Sequence, residues 1–156
     1  MIVVSDTSPI LNLSIIGQLD LLRKLFSALV LPPSVAQELD RHQIEVQPQW
    51  MSVVAAQDRE QFADLRQHLD PGEAEVIVVA LELQASLILI DEHRGRQIAA
   101  ARGLGFMGLL GVLSEAKERG LILECKPLLD GMIEDAGFWI GNDLRSRFLV
   151  RLGEQP

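Results

Sequence analysis

The sequence has one cysteine, few cations and no long apolar run, and each of these shortages removes a class of protein. A single cysteine, Cys125, excludes an intrachain disulfide within the 156 residues and, with no export signal, makes the cytoplasm the expected compartment. The N-terminus has no basic segment before its apolar residues, so we interpret it as a first strand rather than a signal peptide. No apolar run approaches the roughly 18 to 20 residues that cross a bilayer. We therefore expect a cytoplasmic protein with no membrane segment.

Positive charge is also scarce, because 14 Lys and Arg residues face 22 Asp and Glu residues and the net charge is −8. A passive nucleic-acid-binding module depends on its own cations to neutralise phosphates. The charge therefore argues against such a module. It argues less against a metal-dependent nuclease, since clustered carboxylates become favourable once divalent cations occupy them.

Short apolar runs alternate with helical patterns along most of the chain. The strand-like runs are residues 2–5, 28–31, 51–55 and 87–90, with a short fifth strand at 106–107. Helices are predicted after Asp6 with Ser8 as N-cap, from Pro33 with Ser34 and Gln37 as a capping box, from Asp70-Pro71 to about Gln84, and over 111–119. Strands that alternate with helices imply parallel strands joined by crossovers, and hence an α/β domain.

The last part of the chain, 126–156, is predicted to be a helical extension packed on the rest. Residues 127–133 have a helical pattern, 137–142 interrupt it, and 144–152 fit a final helix with Arg145, Arg147 and Arg151. We interpret these arginines as solvated surface cations. Residues 1–156 then form one domain, which their number also favours.

Four acidic residues fall where strands end or helices begin. Asp6 and Asp91 each follow an apolar run, while Glu38 and Glu73 lie early in predicted helices. Ligands of a parallel α/β sheet bind beyond the carboxyl ends of its strands, so these four side chains are expected to converge on one cleft. Carboxylates suit Mg²⁺ or Mn²⁺. Such ions lower the pKa of a bound water and neutralise a phosphodiester under attack.

Several of these acids also have a purely structural interpretation. Asp6 could cap the following helix, and Glu38 alone would be an ordinary helix glutamate. Glu73 could form a capping box with Asp70, although helical spacing places it on a face with apolar residues. Glu75 lies on the opposite face and is interpreted as solvated, while it stays an additional candidate ligand.

Several segments resemble the PIN domain family. Asp-Thr-Ser-Pro at 6–9 resembles the family's opening, and Val-Ala-Gln-Glu-Leu at 35–39 resembles its second acidic element. The Gly-Glu-Ala-Glu helix at 72–83, followed by Leu-Ile-Leu-Ile-Asp at 87–91, resembles the third and fourth. That helix and the Ile-Asp-Glu-x-Arg-Gly-Arg turn at 90–96 are similar to a prokaryotic subfamily near the VapC-like toxins. The resemblance covers nearly the whole chain.

The resemblance implies a fold and an activity. The fold is a three-layer α/β/α sandwich with a central parallel sheet of four to five strands, and the activity is Mg²⁺- or Mn²⁺-dependent endonucleolytic cleavage of single-stranded or structured RNA. It also implies a homodimer and, for toxin members, inhibition by a co-expressed antitoxin protein. The implied catalytic and metal-binding acids are Asp6, Glu38, Glu73 and Asp91.

The resemblance also assigns supporting residues. Ser8 would orient Asp6 by a hydrogen bond, and Arg94 and Arg96 are candidate contacts to RNA phosphates. One position departs from the family pattern. Many PIN domains have Thr or Ser two residues before the last acid, where this chain has Leu89, so a polar partner for Asp91 is missing there.

Other classes with acids at strand ends fit less well. A phosphoacceptor receiver domain needs a lysine after its fifth strand, and 105–111 contain none. A haloacid-dehalogenase-type phosphatase needs an aspartate at the position of Ser8. The histidines at 42, 68 and 93 lack zinc-ligand spacing, and no Gly-x-Ser-x-Gly motif of a serine hydrolase is present. The remaining alternative is a catalytically degenerate PIN domain that acts as a protein-binding partner, against which the retained acids argue.

Overall fold

A computed structural model describes all residues, 1–156. Its five strands are β1 (Val3–Ser5), β2 (Leu29–Leu31), β3 (Met51–Val53), β4 (Leu87–Leu89) and β5 (Phe106–Met107). They form one sheet in the order β3-β2-β1-β4-β5, and every neighbouring pair is parallel. Apart from Ser5 at the end of β1, the central strands are apolar, as expected for a parallel sheet that helices cover on both faces. The five predicted strands are all present, four of them one or two residues shorter than predicted.

Nine helices surround the sheet and confirm the predicted three-layer α/β/α architecture. They are α1 (Thr7–Ile15), α2 (Asp20–Phe26), α3 (Pro33–Arg41), α4 (Arg59–Leu65), α5 (Pro71–Glu82), α6 (His93–Ala101), α7 (Leu109–Glu118), α8 (Lys126–Ala136) and α9 (Asn142–Arg151). None of the helices is long and apolar enough to span a membrane.

Helix α5 has the longest unbroken buried stretch of any helix. Residues 76–80 are fully buried, so the helix has no solvated face over that stretch. The prediction that Glu75 is solvated is therefore wrong, and this side chain is instead half-buried and hydrogen-bonded. A helix that is apolar all round belongs in a protein core.

Two predicted helix caps are also wrong, although α3 begins at Pro33 as predicted. Helix α1 begins at Thr7 with Asp6 at the N-cap position, so Ser8 lies inside the first turn. Helix α3 has Pro32 at its N-cap position, and the Ser34 hydroxyl donates to Glu75 rather than forming a capping box. Prolines fit anywhere in a first turn because those N–H groups have no partner within the helix, so Pro9 did not fix where α1 begins.

The chain after residue 125 is tied to the rest through Glu154. Its carboxylate accepts hydrogen bonds from Lys117 Nζ at 2.8 Å and from the backbone N–H groups of Cys125 and Lys126 at 2.9 Å. Burial raises the pKa of Glu154, but these hydrogen bonds outweigh it, so the pKa lies below its usual range. A carboxylate at the start of α8 also complements the helix dipole. The last helices are thereby held against α7.

The order of the strands defines where a ligand site is expected. The chain leaves β1 towards β2 and β3 on one side, and β4 and β5 lie on the other, which makes the gap between β1 and β4 a topological switch point. Beyond the end of β1, Asp6 N–H donates to Leu89 O at 2.9 Å. The segments that follow β1 and β4 therefore emerge side by side.

Candidate active site

Asp6 stands at the switch point and is the shared neighbour of the other acids. Burial raises its pKa to about 6, with further increases from the negative charges of Asp70, Glu38 and Asp91, while the backbone N–H of Thr7 lowers it. Glu73 in the first turn of α5 also interacts with the charge of Asp6. The fold thus brings all four sequence-predicted acids into one electrostatic neighbourhood.

Glu73 is the second acid with a strongly raised pKa, at about 7. Burial is the largest cause, followed by the charges of Asp70 and Asp6. Its backbone N–H donates to Asp70 Oδ1 at 2.8 Å, which is the Asp70 half of the predicted capping box. The cap and the site therefore use different parts of the same residue, the amide for one and the carboxylate for the other.

Glu38 lies more openly, on α3, and is held by a residue that the sequence did not single out. Thr7 Oγ1 donates to Glu38 Oε2 at 2.9 Å, and Thr7 itself is only 5% exposed. The contact joins positions 31 residues apart in the chain. A buried hydroxyl therefore orients one oxygen of an otherwise exposed carboxylate.

Asp91 takes its hydrogen bond from the opposite side of the site. Its Oδ1 accepts from the backbone N–H of Leu109 at 2.9 Å, in the first turn of α7, and its Oδ2 is buried with no partner. Burial raises the pKa of Asp91, against the lowering effects of the Leu109 N–H and Arg96. Gly108 makes this contact possible, because a Cβ there would lie 2.7 Å from Asp91 Oδ1. The polar partner absent at position 89 is thus replaced by a backbone amide.

Asp70 is an additional member of the cluster that sequence reasoning treated only as a cap. A Cβ placed on Gly72 would lie 3.6 Å from Asp70 Oδ1 and 3.8 Å from Asp6 Oδ1, so the two carboxylates flank the same small space. This space opens into a cleft of about 400 Å³, where Arg41 is the one cation of the lining. The Asp70-Pro71-Gly72 turn therefore shapes the site as well as beginning α5.

The architecture agrees with a comparison of the sequence with family models. A model described as a PIN domain (DUF3368) matches residues 2–154. The chain belongs to the PIN domain family. PIN domains are generally metal-dependent nucleases, and this chain is a nuclease-type PIN domain. No curated protein and no solved structure matches it significantly.

Two residues predicted to support the site of this PIN domain, Ser8 and Glu75, make their hydrogen bonds elsewhere. Ser8 makes no hydrogen bond to Asp6; its Oγ accepts from Asn12 Nδ2 at 3.1 Å, because a residue inside α1 meets the side chain one turn later. The carboxylate of Glu75, the additional candidate ligand, accepts hydrogen bonds from the backbone N–H of Ser34 at 3.2 Å and from the Ser34 hydroxyl at 2.6 Å. Both contacts satisfy donors at the start of α3, so Glu75 has a structural role there.

The two arginines proposed to contact RNA are placed differently. Arg96 lies beside Asp91, where its guanidinium lowers the pKa of that carboxyl group, and it lines a second cleft. Arg94 is exposed, and its Nη2 lies 3.2 Å from His68 Nδ1. Arg96 is therefore the one of the pair that borders the acidic site of the PIN domain.

The carboxylates of this PIN domain are close but not already arranged as metal ligands. No group of three or more His, Cys, Asp and Glu side chains is positioned to hold a metal ion. The raised pKa values of Asp6, Glu73 and Asp91 show instead that their charges are incompletely compensated.

Proposed function

We propose that this PIN domain is a Mg²⁺- or Mn²⁺-dependent endoribonuclease that hydrolyses RNA phosphodiesters. The observation that carries the proposal is the set of acids around Asp6, in which burial and neighbouring carboxylates raise the pKa values of Asp6 and Glu73 and burial raises that of Asp91. Such a cluster costs free energy of folding, and a bound cation would remove that cost. Perturbed carboxyl groups that line a cleft are typical of functional sites.

The donors at this site fit a hard divalent cation. They are carboxylate oxygens, and the buried Asp91 Oδ2 is an acceptor with no partner that a cation would satisfy. Mg²⁺ commonly keeps several waters and binds through one or two carboxylates, so it does not need three preassembled side chains. We propose that Asp6 and Asp91 hold the ion and that Glu38 and Glu73 complete the site.

When bound, the cation would supply a Lewis acid that lowers the pKa of a water and offsets the charge of the phosphodiester. The other contributions belong to the chain. Thr7 orients Glu38 and the Leu109 amide orients Asp91, which fixes ligands from opposite sides. Arg41 and Arg96 line the two clefts that border the acids and would position phosphates.

The raised pKa values give this proposal a pH dependence. Asp6 and Glu73 keep protons up to about pH 6 and 7 in the cation-free chain. Loading must therefore release protons, and affinity for the ion should fall as the pH drops below these values.

The test is cleavage of a mixed pool of labelled RNAs with and without Mn²⁺. Wild type should give metal-dependent products, while Asp6→Asn and Asp91→Asn should lose them with an unchanged circular dichroism spectrum. Asp40→Asn, at an exposed position of α3, is the matched control and should cleave like wild type. Full activity in both active-site variants would sink the assignment of the acids.

We further propose that the enzyme is the toxin of a toxin–antitoxin pair and acts in the cytoplasm as a homodimer. The resemblance to VapC-like toxins supports this role. Induced expression of wild type, but not of Asp6→Asn, should arrest bacterial growth, and co-expression of a cognate antitoxin should restore it. Sedimentation of the purified protein tests the dimer.

The alternative function is a degenerate PIN domain that acts only as a protein-binding partner. The observation on its side is that no three metal-binding side chains are preassembled, although Mg²⁺ can bind through one or two carboxylates. Titration calorimetry with Mn²⁺ separates the two, because the degenerate domain should neither bind the ion nor cleave RNA. Binding that Asp91→Asn abolishes would argue for the enzyme.

A further inference from the structure

A second cleft adjoins Asp91, and the hydrolysis proposed above accounts for Asp91 and Arg96 in its lining but not for the loop on its other side. It has a volume of about 490 Å³ and lies between the start of α6, the start of α7 and the loop from Gly137 to Gly141. Trp139 in this loop is 85% exposed, whereas the other tryptophan, Trp50, is 5% exposed. A large aromatic ring left open beside a carboxylate site is a feature that marks binding surfaces.

The loop that carries Trp139 is anchored at both ends. Gly137 ends α8 with a φ of +70°, a left-handed conformation suited to glycine, and the next N–H, of Phe138, donates to Met132 O at 3.0 Å. Phe138 packs against the hydrophobic core, and Gly141 begins the connection to α9. The exposed indole is thus presented on an anchored loop rather than on a free terminus.

Cations extend from this cleft along a groove. Leu110 and Leu144 line both this cleft and a neighbouring one of about 550 Å³, which reaches Arg147 and Arg151 on α9. Neither of these arginines forms an ion pair, in contrast to Arg145, which contacts Asp130 at 2.6 Å.

We call this continuous surface, from Arg96 and Trp139 to Arg147 and Arg151, the tryptophan groove. Asp91, Glu92 and Glu115 also line the two clefts, but Glu115 is paired with Arg119. Arg147 and Arg151 are therefore the free cations at the α9 end of the groove, and they favour a polyanionic ligand there.

We propose that the tryptophan groove binds single-stranded RNA, with one base stacked on Trp139 and the backbone along Arg147 and Arg151. The inference rests on the proposed nuclease function, because it places the strand so that it leads to Asp91. Aromatic rings combined with a cationic path are the usual means of binding single strands, since every base has a π-face to stack. Paired bases in an RNA duplex keep those faces covered, so a duplex cannot use Trp139 in the same way.

The first experiment measures RNA affinity in the Asp6→Asn background, where cleavage is expected to be absent. Fluorescence anisotropy of a labelled single-stranded octanucleotide is compared with that of the same sequence in a duplex. Trp139→Ala should weaken single-strand binding about 5- to 150-fold, the range for loss of one stacked base. Trp139→Phe should retain most of the affinity. Leu123→Ala is the matched control, because Leu123 is 92% exposed and lies outside the groove.

The second experiment tests the path of the backbone. The slope of log affinity against log salt concentration becomes shallower by about 0.7 for each phosphate of a single strand that the protein no longer neutralises. The double variant Arg147→Ala/Arg151→Ala should therefore reduce the slope by about 1.4. Tryptophan fluorescence gives a third readout, because Trp50 is buried and quenching by RNA reports on Trp139.

The outcomes separate this inference from the nuclease proposal. Weaker single-strand binding in Trp139→Ala, but not in Leu123→Ala, supports the tryptophan groove even if the wild type cleaves no RNA, which would overturn only the nuclease. If Trp139→Ala leaves the affinity for single-stranded RNA unchanged in the Asp6→Asn background, and the protein with Asp6 still cleaves RNA, only the tryptophan groove is overturned. Equal affinity for the duplex overturns single-strand recognition. Loss of self-association with unchanged RNA affinity would assign Trp139 to a protein interface and also overturn it.

Discussion

Asp6 should make the cation-free protein less stable at neutral pH, and replacing it with asparagine should remove that cost. Its pKa is 3.8 in an unfolded chain and about 6 in the folded one. Below pH 4 both states hold the proton and the residue contributes little. Between pH 4 and 6 Asp6 ionises in the unfolded state but stays protonated in the folded state, so the free energy of unfolding falls as the pH rises. Above pH 6 the loss is complete, at about 3 kcal/mol as an upper limit.

Urea denaturation in EDTA, followed by circular dichroism, measures this cost. At pH 8 the free energy of unfolding of Asp6→Asn should exceed that of wild type by up to about 3 kcal/mol. With a slope of about 2 kcal/mol per molar urea, the midpoint rises by up to about 1.5 M. At pH 4 the difference should shrink below about 1 kcal/mol. Asp40→Asn, at an exposed site, should show no such pH-dependent gain.

Added Mn²⁺ should reverse the order of stability. Ligand that binds only the folded state adds about 4.1 kcal/mol at a thousand times its dissociation constant, which exceeds the cost of about 3 kcal/mol, and Asp6→Asn should gain little of it. The reasoning is refuted if Asp6→Asn is no more stable than wild type at pH 8, or if its gain is the same at both pH values. If Asp6→Asn is more stable at pH 8 but Mn²⁺ does not reverse the order, the cost of burying Asp6 is confirmed and the result counts against the metal site.

Three further substitutions test contacts that position the site or the C-terminal helices. Thr7→Val removes the hydroxyl that orients Glu38 and should lower Mn²⁺ affinity or cleavage about 10- to 100-fold, with Thr7→Ser restoring it. Gly108→Ala places a methyl group 2.7 Å from Asp91 Oδ1 and should reduce cleavage while leaving the thermal midpoint within a few degrees of wild type. Glu154→Gln should lower the unfolding free energy by about 1–3 kcal/mol at pH 7. That loss should diminish in denaturation at acid pH, because a carboxylate with a lowered pKa stabilises above its unfolded pKa and ceases to as the pH falls through the folded one.

The sheet and its two strand-end acids were predictable because their signals are local. Each central strand is a short apolar run, and a parallel sheet covered on both faces selects such runs. Once Asp6 and Asp91 followed two of these runs, the parallel topology placed them at one edge. The strand order, with β1 beside β4, did not follow from the sequence pattern, although it is what makes the two acids neighbours.

The contacts that refine the site were not predictable because they join distant segments. Thr7 reaches Glu38 across 31 residues, and Glu75 reaches Ser34 across 41. Helical periodicity alone gave Glu75 a solvated face, but α5 packs against α3 and leaves none. Asp70 was recognisable as a cap from its place before a proline, whereas its charge counts in the site only because α5 begins next to β1.

Asp6 stands at the N-cap position of α1, but it differs from Asp58, which is a true capping residue of α4 in the same chain. Asp58 Oδ1 accepts from the Gln61 N–H at 3.0 Å, as a capping side chain does, whereas Asp6 occupies the N-cap position of α1 without any such bond. Asp58→Ala should therefore cost about 1 kcal/mol of unfolding free energy at pH 8 in EDTA. Asp6→Ala should not, and should stabilise the chain, because it removes a partly buried charge and no cap. Equal losses in the two variants would restore Asp6 to a capping role, and the metal site would then lose the residue on which the other acids converge.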